Sequence, residues 1–107
     1  MWLPLLALVI GVVVGLQFSF TVPAEYARYT AVAILAALDS VLGAVRAELD
    51  GVYDNRIFIS GFLTNGVVAV LLTFIGDRLG VDLYLVALIT FGPRIFNNVA
   101  LIRRHFL

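Results

Sequence analysis

The 107-residue sequence contains no cysteine, no lysine and a single histidine, His105, close to its end. Without cysteine there is no disulfide, no thiol nucleophile and no thiolate metal ligand. One lone histidine gives a metal site or a histidine-based catalytic triad nothing to be built from, so neither a metal nor a cofactor is expected. Charge is scarce too: 13% of the residues are charged, against about 25% in an ordinary soluble domain. Seven acids cancel seven bases, which leaves no basic stripe for nucleic acid and no polybasic segment for anionic lipid. All seven bases are arginine. Composition bias in a GC-rich genome accounts for that as simply as a demand for bidentate hydrogen bonding does.

The chain is rich in apolar surface instead. Hydrophobic residues make up 63% of it and the mean hydropathy is +1.09. Too little polar surface remains to coat a water-facing globule, so lipid must be the solvent for most of the chain. Its length suits one domain, 1–107.

The hydrophobic runs predict an all-α, polytopic bundle of four transmembrane helices, at about 2–20, 24–47, 57–75 and 83–102. The first run, Trp2 to Phe20, is interrupted only by Pro4 and Gln17 and would reach roughly 28 Å as a helix. No Lys or Arg precedes it, and the stretch Phe18 to Pro23 lacks the small residues of a cleavage site, so it reads as an uncleaved helix rather than a signal peptide. Pro23 suits the start of the second helix, because its fixed φ is helical and its missing N–H would be unpaired there anyway. Glu48 to Arg56 reads as a polar loop, and Gly76 to Asp82 as a short turn.

Four crossings put both termini on one side with the Glu48–Arg56 loop. That side collects Arg46, Arg56, Arg103 and Arg104, and the other only Arg28 and Arg78. The excess places both termini in the cytoplasm of a bacterial cell, the protein lying in the inner membrane. Trp2, Tyr53 and Phe106 then fall at the inner boundary and Tyr26, Tyr29 and Tyr84 at the outer one, where amphipathic rings prefer to sit.

An ionisable side chain near the bilayer centre costs about 2.5 to 3.5 kcal/mol, so it asks for a partner or a task. Asp39 in the second span and Arg94 in the fourth lie at depths that agree to about one helical turn. Asn65 of the third span comes to a similar depth. Arg94, Asn97 and Asn98 share one helix face by their i, i+3, i+4 spacing, as do Ala36, Asp39, Gly43 and Arg46. The cluster Asp39, Asn65, Arg94, Asn97 and Asn98 is thus the candidate site, with the second, third and fourth helices expected to surround it. Two readings stand: an ion pair that fixes how the helices dock, or a working site. The second makes Asp39 a protonatable carboxylate, or makes Arg94 and the two amides a binding site for an anionic headgroup or small solute.

Small residues add two packing candidates. Gly11 and Gly15 form a G-x-x-x-G pattern that suits close helix approach within the monomer or between copies, and Gly43 lies on the polar face of the second helix. Pro93 beside Arg94 removes a backbone donor, either kinking the fourth helix or being tolerated in it.

Several blocks resemble one known family. Pro23-Ala24-Glu25-Tyr26-Ala27-Arg28-Tyr29, Ala33 to Ser40, Phe58-Ile59-Ser60-Gly61-Phe62, Gly76 to Tyr84 and Arg94-Ile95-Phe96-Asn97-Asn98 together look like the small basic protein family of bacterial integral membrane proteins. The resemblance runs through nearly the whole chain in the correct order. It implies a membrane protein of Gram-positive and related bacteria, encoded close to cell-division and envelope genes, and it transfers no catalytic residue. The chain departs from the family's name in being charge-neutral, with an isoelectric point near 6.5. The functional expectation is a non-enzymatic partner or scaffold in cell-envelope biogenesis or division. It would meet the lipid bilayer and another membrane protein or itself, and no nucleic acid. A small homo-oligomeric transporter or channel using the Asp39/Arg94 layer is the alternative.

Overall fold

A computed structural model describes residues 2–17 and 21–107. It is all-helical: α1 spans Trp2–Gln17, a 3-10 turn Ala24–Tyr26 leads into α2 at Ala27–Leu49, and α3 (Asn55–Leu79) and α4 (Tyr84–Phe106) follow. Three helices are long and apolar enough to cross a membrane: Ala24–Leu49, counted with its 3-10 turn, Asn55–Leu79 and Tyr84–Phe106. α1 is shorter. Its 16 residues reach about 24 Å, less than the roughly 30 Å hydrocarbon core, and the expected continuation through Phe18, Ser19 and Phe20 lies outside the described residues. The expectation of four spans therefore reduces to three long ones and a shorter apolar helix.

Helix ends follow local chemistry. Asp54 is extended and caps α3, its Oδ1 accepting from the Arg56 N–H at 2.7 Å. Gly51, with φ 75°, turns the chain after α2. Gly80, with φ 72°, takes the left-handed position that closes α3 and donates its N–H to the Gly76 carbonyl. The turn between α3 and α4 is thus shorter than the expected Gly76–Asp82, because α3 runs on through Gly76 to Leu79. Gly76 is needed there for space rather than for conformation: a Cβ on it would lie 2.5 Å from the Val81 carbonyl oxygen and 2.9 Å from the Leu83 nitrogen. α4 runs through Pro93 without interruption. Some hydroxyls within the helices bond locally, Thr73 donating to the Ala69 carbonyl and Thr90 to that of Val86.

α2 is the hub. It packs along both α3 and α4, whereas those two meet each other only thinly and α1 touches α2 at the margin. The core combines small residues with two phenylalanines, with Val32, Ala36, Ala69, Ala87 and Phe91 in one cluster and Val41, Ala44 and Phe58 in a second nearer the α2–α3 loop. Alanines at Ala36, Ala69 and Ala87 let three backbones approach, which is how membrane helices associate when lipid is as apolar as their side chains. α2 and α4 run parallel, so their C-terminal ends, with Arg46 on one and Arg103 and Arg104 on the other, lie together at the end that holds the α2–α3 loop.

Candidate functional site

Asp39 sits midway along α2 on the face turned toward α4. Its carboxylate is wholly enclosed, and its Oδ2 lies 3.0 Å from Nη2 of Arg94, a side chain still 56% exposed. The contact has ion-pair distance without hydrogen-bond alignment, and Oδ1 meets no donor among the described residues. A buried carboxylate thus leans on a single, laterally placed cation.

The pair continues toward the loop end. Arg46, two turns beyond Asp39, donates through Nη1 to Oδ1 of the nearly buried Asn98 at 3.3 Å, and its Nε lies 3.8 Å from Asp50 Oδ2. Asn98 directs its amide nitrogen toward Gly43, where an added Cβ would lie 3.9 Å away. Gly43 therefore faces Asn98 across the α2–α4 contact with ordinary room for a Cβ. A Cβ added at Gly11 or Gly15 would meet nothing within 4 Å, so packing among the described residues does not use their G-x-x-x-G pattern.

Two adjoining cavities flank the cluster. One of about 370 Å³ opens between α2 and α4 and is lined by Gly43, Arg46, Asp50, Arg94, Asn97 and Asn98 among others. The second, about 180 Å³, lies on the α2–α3 side and brings Asp39, Ser40, Tyr53, Asn65 and Arg94 around one space. Asp39, the Ser40 hydroxyl and the Tyr53 hydroxyl are buried there without hydrogen-bond partners. Asn65 borders the same space as Asp39 and Arg94 but hydrogen-bonds to neither, and Asn97 is exposed at the rim of the α2–α4 cavity. α2, α3 and α4 each contribute a residue to this layer, with Arg94 and Asn97 still exposed where α3 and α4 meet only thinly. Among the described residues, no group of His, Asp and Glu could hold a metal.

A second polar constellation, which charge counting alone assigns only to loop asymmetry, lies at the opposite end. Arg28 pairs with Asp77 at 3.2 Å and with Asp82, and Tyr29 donates its hydroxyl to Asp77 at 2.9 Å. The Arg28 guanidinium also lies 4.8 Å from the Tyr84 ring centre. One residue of α2 thereby ties down both sides of the α3–α4 turn. The signal in the sequence is two acids five positions apart around Gly80, opposite a lone arginine at the start of α2.

Comparison with known proteins places these features in context. Residues 22–107 match the profile of a family described as protein of unknown function (DUF1290). A protein named "Small basic protein" from Bacillus subtilis (strain 168) is 50% identical over 107 residues, covering 100% of this chain and 88% of the relative. An uncharacterized protein of Mycobacterium tuberculosis (strain ATCC 25618 / H37Rv) is 41% identical over 100 residues, covering 92% of this chain and 83% of its own. One from Mycobacterium bovis (strain ATCC BAA-935 / AF2122/97) matches to the same extent. No solved structure matches the chain.

Proposed function

We infer that this chain, which belongs to the DUF1290 family and resembles the small basic protein of Bacillus subtilis along its whole length, works as a non-enzymatic membrane scaffold. In this proposal it lies in the bacterial cytoplasmic membrane with both termini in the cytoplasm and docks another membrane protein in envelope biogenesis or cell division.

One observation carries the reading: among the described residues only α2 is packed extensively along two other helices, so α1, α3 and α4 each offer a long face outside the bundle. A groove of about 500 Å³ along α2 and α3 is floored by Ala33, Ala37 and Gly66 and walled by Leu63, Val67 and Leu71. Small residues flanked by aliphatic ones admit a further helix at close range, and van der Waals packing is what binds helices inside lipid. The short loops offer little else to hold a partner.

The alternative, a small homo-oligomeric transporter, draws on the unpartnered oxygens around Asp39. Crosslinking pull-down from native membranes separates the two, with wild type and Asp39→Asn expressed at equal levels. Recovery of the same division or envelope membrane proteins by both forms is the expected result. Recovery of the chain only with itself, lost or altered in Asp39→Asn, would replace the scaffold with the transporter.

A further inference from the structure

The cavity between α2 and α4 is built of donors. Arg46 and Arg94 bring two guanidinium groups, and Asn97 and Asn98 bring two amides. The sole carboxylate in its lining, Asp50, is exposed at the mouth and already lies 3.8 Å from Arg46. Within the lining two arginines face one carboxylate, and Asp39 just outside it is the acid that pairs with Arg94. Arg94 spends one nitrogen on Asp39, outside this cavity, and makes no other side-chain pairing among the described residues. Asn98 commits its oxygen to Arg46, which leaves its Nδ2 facing the space that Gly43 keeps open.

A guanidinium needs acceptors, and inside lipid it cannot take them from water as freely as at a surface. Arg46 has Asn98 Oδ1 and Asp50 as acceptors, whereas Arg94 bonds to no acceptor within this cavity among the described residues. Its volume of about 370 Å³ accommodates a tetrahedral oxyanion together with the atoms that carry it. It reaches from Arg94, midway along α4, to Asp50 and Val52 just beyond the end of α2, so it spans from the membrane interior to the headgroup level. Basic pockets between membrane helices at that level suit phospholipid headgroups.

We propose that the Arg46, Arg94 and Asn98 side of this cavity is a binding site for a phosphate oxyanion, supplied by an anionic phospholipid headgroup or by free phosphate. Arg46 and Arg94 supply charge-assisted hydrogen bonds, and the Asn98 amide adds an oriented neutral donor. Gly43 keeps the floor clear. The site is independent of the scaffold groove, which lies on the α2–α3 face.

The test uses delipidated full-length protein in a neutral detergent, titrated with phosphatidylglycerol, with phosphatidylcholine, and with phosphatidylglycerol in the presence of inorganic phosphate. Binding is followed by native mass spectrometry. Saturable retention of phosphatidylglycerol over phosphatidylcholine is expected, weakened about tenfold by Arg46→Gln, which leaves the Asp39–Arg94 pair in place. Gly43→Leu, which fills the floor without touching charge, is expected to weaken it similarly. Both variants are compared at equal thermal stability and elution profile, and a variant that misfolds is replaced by Asn98→Leu. Full displacement by inorganic phosphate assigns the site to the free oxyanion, and resistance to it assigns the site to the lipid. Equal retention of both lipids, or binding unchanged in Arg46→Gln and Gly43→Leu, overturns the proposal.

Discussion

Asp39 and Arg94 meet at 3.0 Å from opposite environments: the carboxylate has no exposed surface, and the guanidinium is more than half exposed. The two ends of this pair are therefore not equivalent. Removing Arg94 strands a buried anion, whereas removing Asp39 frees a long side chain that already borders an open polar cavity and can swing toward its mouth.

Arg94→Gln is accordingly expected to destabilise the bundle by about 3 kcal/mol, and Asp39→Asn by clearly less. The double variant Asp39→Asn/Arg94→Gln should recover part of the Arg94→Gln loss, because no buried charge remains. Thermal unfolding in detergent of the two single variants and the double variant measures the coupling. Losses that merely add would show that the 3.0 Å approach carries no energy of its own.

Arg28 makes a different kind of prediction. Its partners Asp77 and Asp82 are each more than a third exposed, so the individual pairs contribute little, about 0.2–1 kcal/mol. The cost of Arg28→Ala should appear locally, as faster hydrogen exchange over Gly80 to Leu83, with global stability nearly unchanged. Raising the salt concentration on the wild type should reproduce part of the effect. Exchange at the turn that is indifferent to both changes would mean that Gly80 and Gly76 hold it without help.

Asp39 and Arg94 are legible as a pair in the sequence because each is a charge in an apolar run, and helical rise alone equates their depths. The long spans are legible for the same reason, as hydropathy is read over a whole window. Which helix is central is not: Ala36, Ala69 and Ala87 look like ordinary lipid-compatible residues until their burial shows that they are where backbones meet. Nor does residue type distinguish Asn97 from Asn98. The two are adjacent, so their directions differ by about 100° around the helix, and only the position of α2 decides which one is buried. The end of α3 is obscured because Gly76 resembles a turn residue, although its lack of a side chain serves close contact with Val81 and Leu83 while the helix continues.

That contact gives a contrast among glycines. Gly76→Ala should cost about 1–3 kcal/mol, since the obstructing atoms include backbone that cannot rotate away. Gly11→Ala and Gly15→Ala should leave monomer stability unchanged, having nothing within 4 Å. Unfolding of the three variants at high detergent dilution tests this directly. A drop in self-association confined to the Gly11 and Gly15 variants would place their pattern between copies.

Tyr53 lies in the loop between α2 and α3. Burial pushes its hydroxyl above the ordinary value of 10.0, and the nearby Glu48 and Asp54 carboxylates push it the same way. The folded chain therefore holds this proton more tightly than the unfolded one. The resulting stability is fully present below pH 10.0 and is lost as the pH rises through the elevated value. A near-ultraviolet titration of wild type minus Tyr53→Phe should show this tyrosine ionising late. Because the hydroxyl is buried without a partner, Tyr53→Phe itself should be neutral or slightly stabilising at neutral pH.

The absence of cysteine makes the crossing number directly measurable. Single cysteines at Val52, Val81 and Leu107 report the α2–α3 loop, the α3–α4 turn and the C-terminus in turn. Labelling of intact cells with an impermeant maleimide should separate Val81→Cys from the other two, as three long spans require. A fourth cysteine at Trp2 then decides the fate of α1. If α1 crosses, Trp2→Cys must be protected together with Val52→Cys, and the two ends of the chain share a compartment. If it labels with Val81→Cys, α1 enters and leaves on one side, and the arginine excess at Arg46, Arg56, Arg103 and Arg104 orients three spans rather than four. The first outcome is expected, because α1 carries no charged residue from Trp2 to Gln17 and its sides are exposed along nearly their full length, which only lipid or another helix can cover.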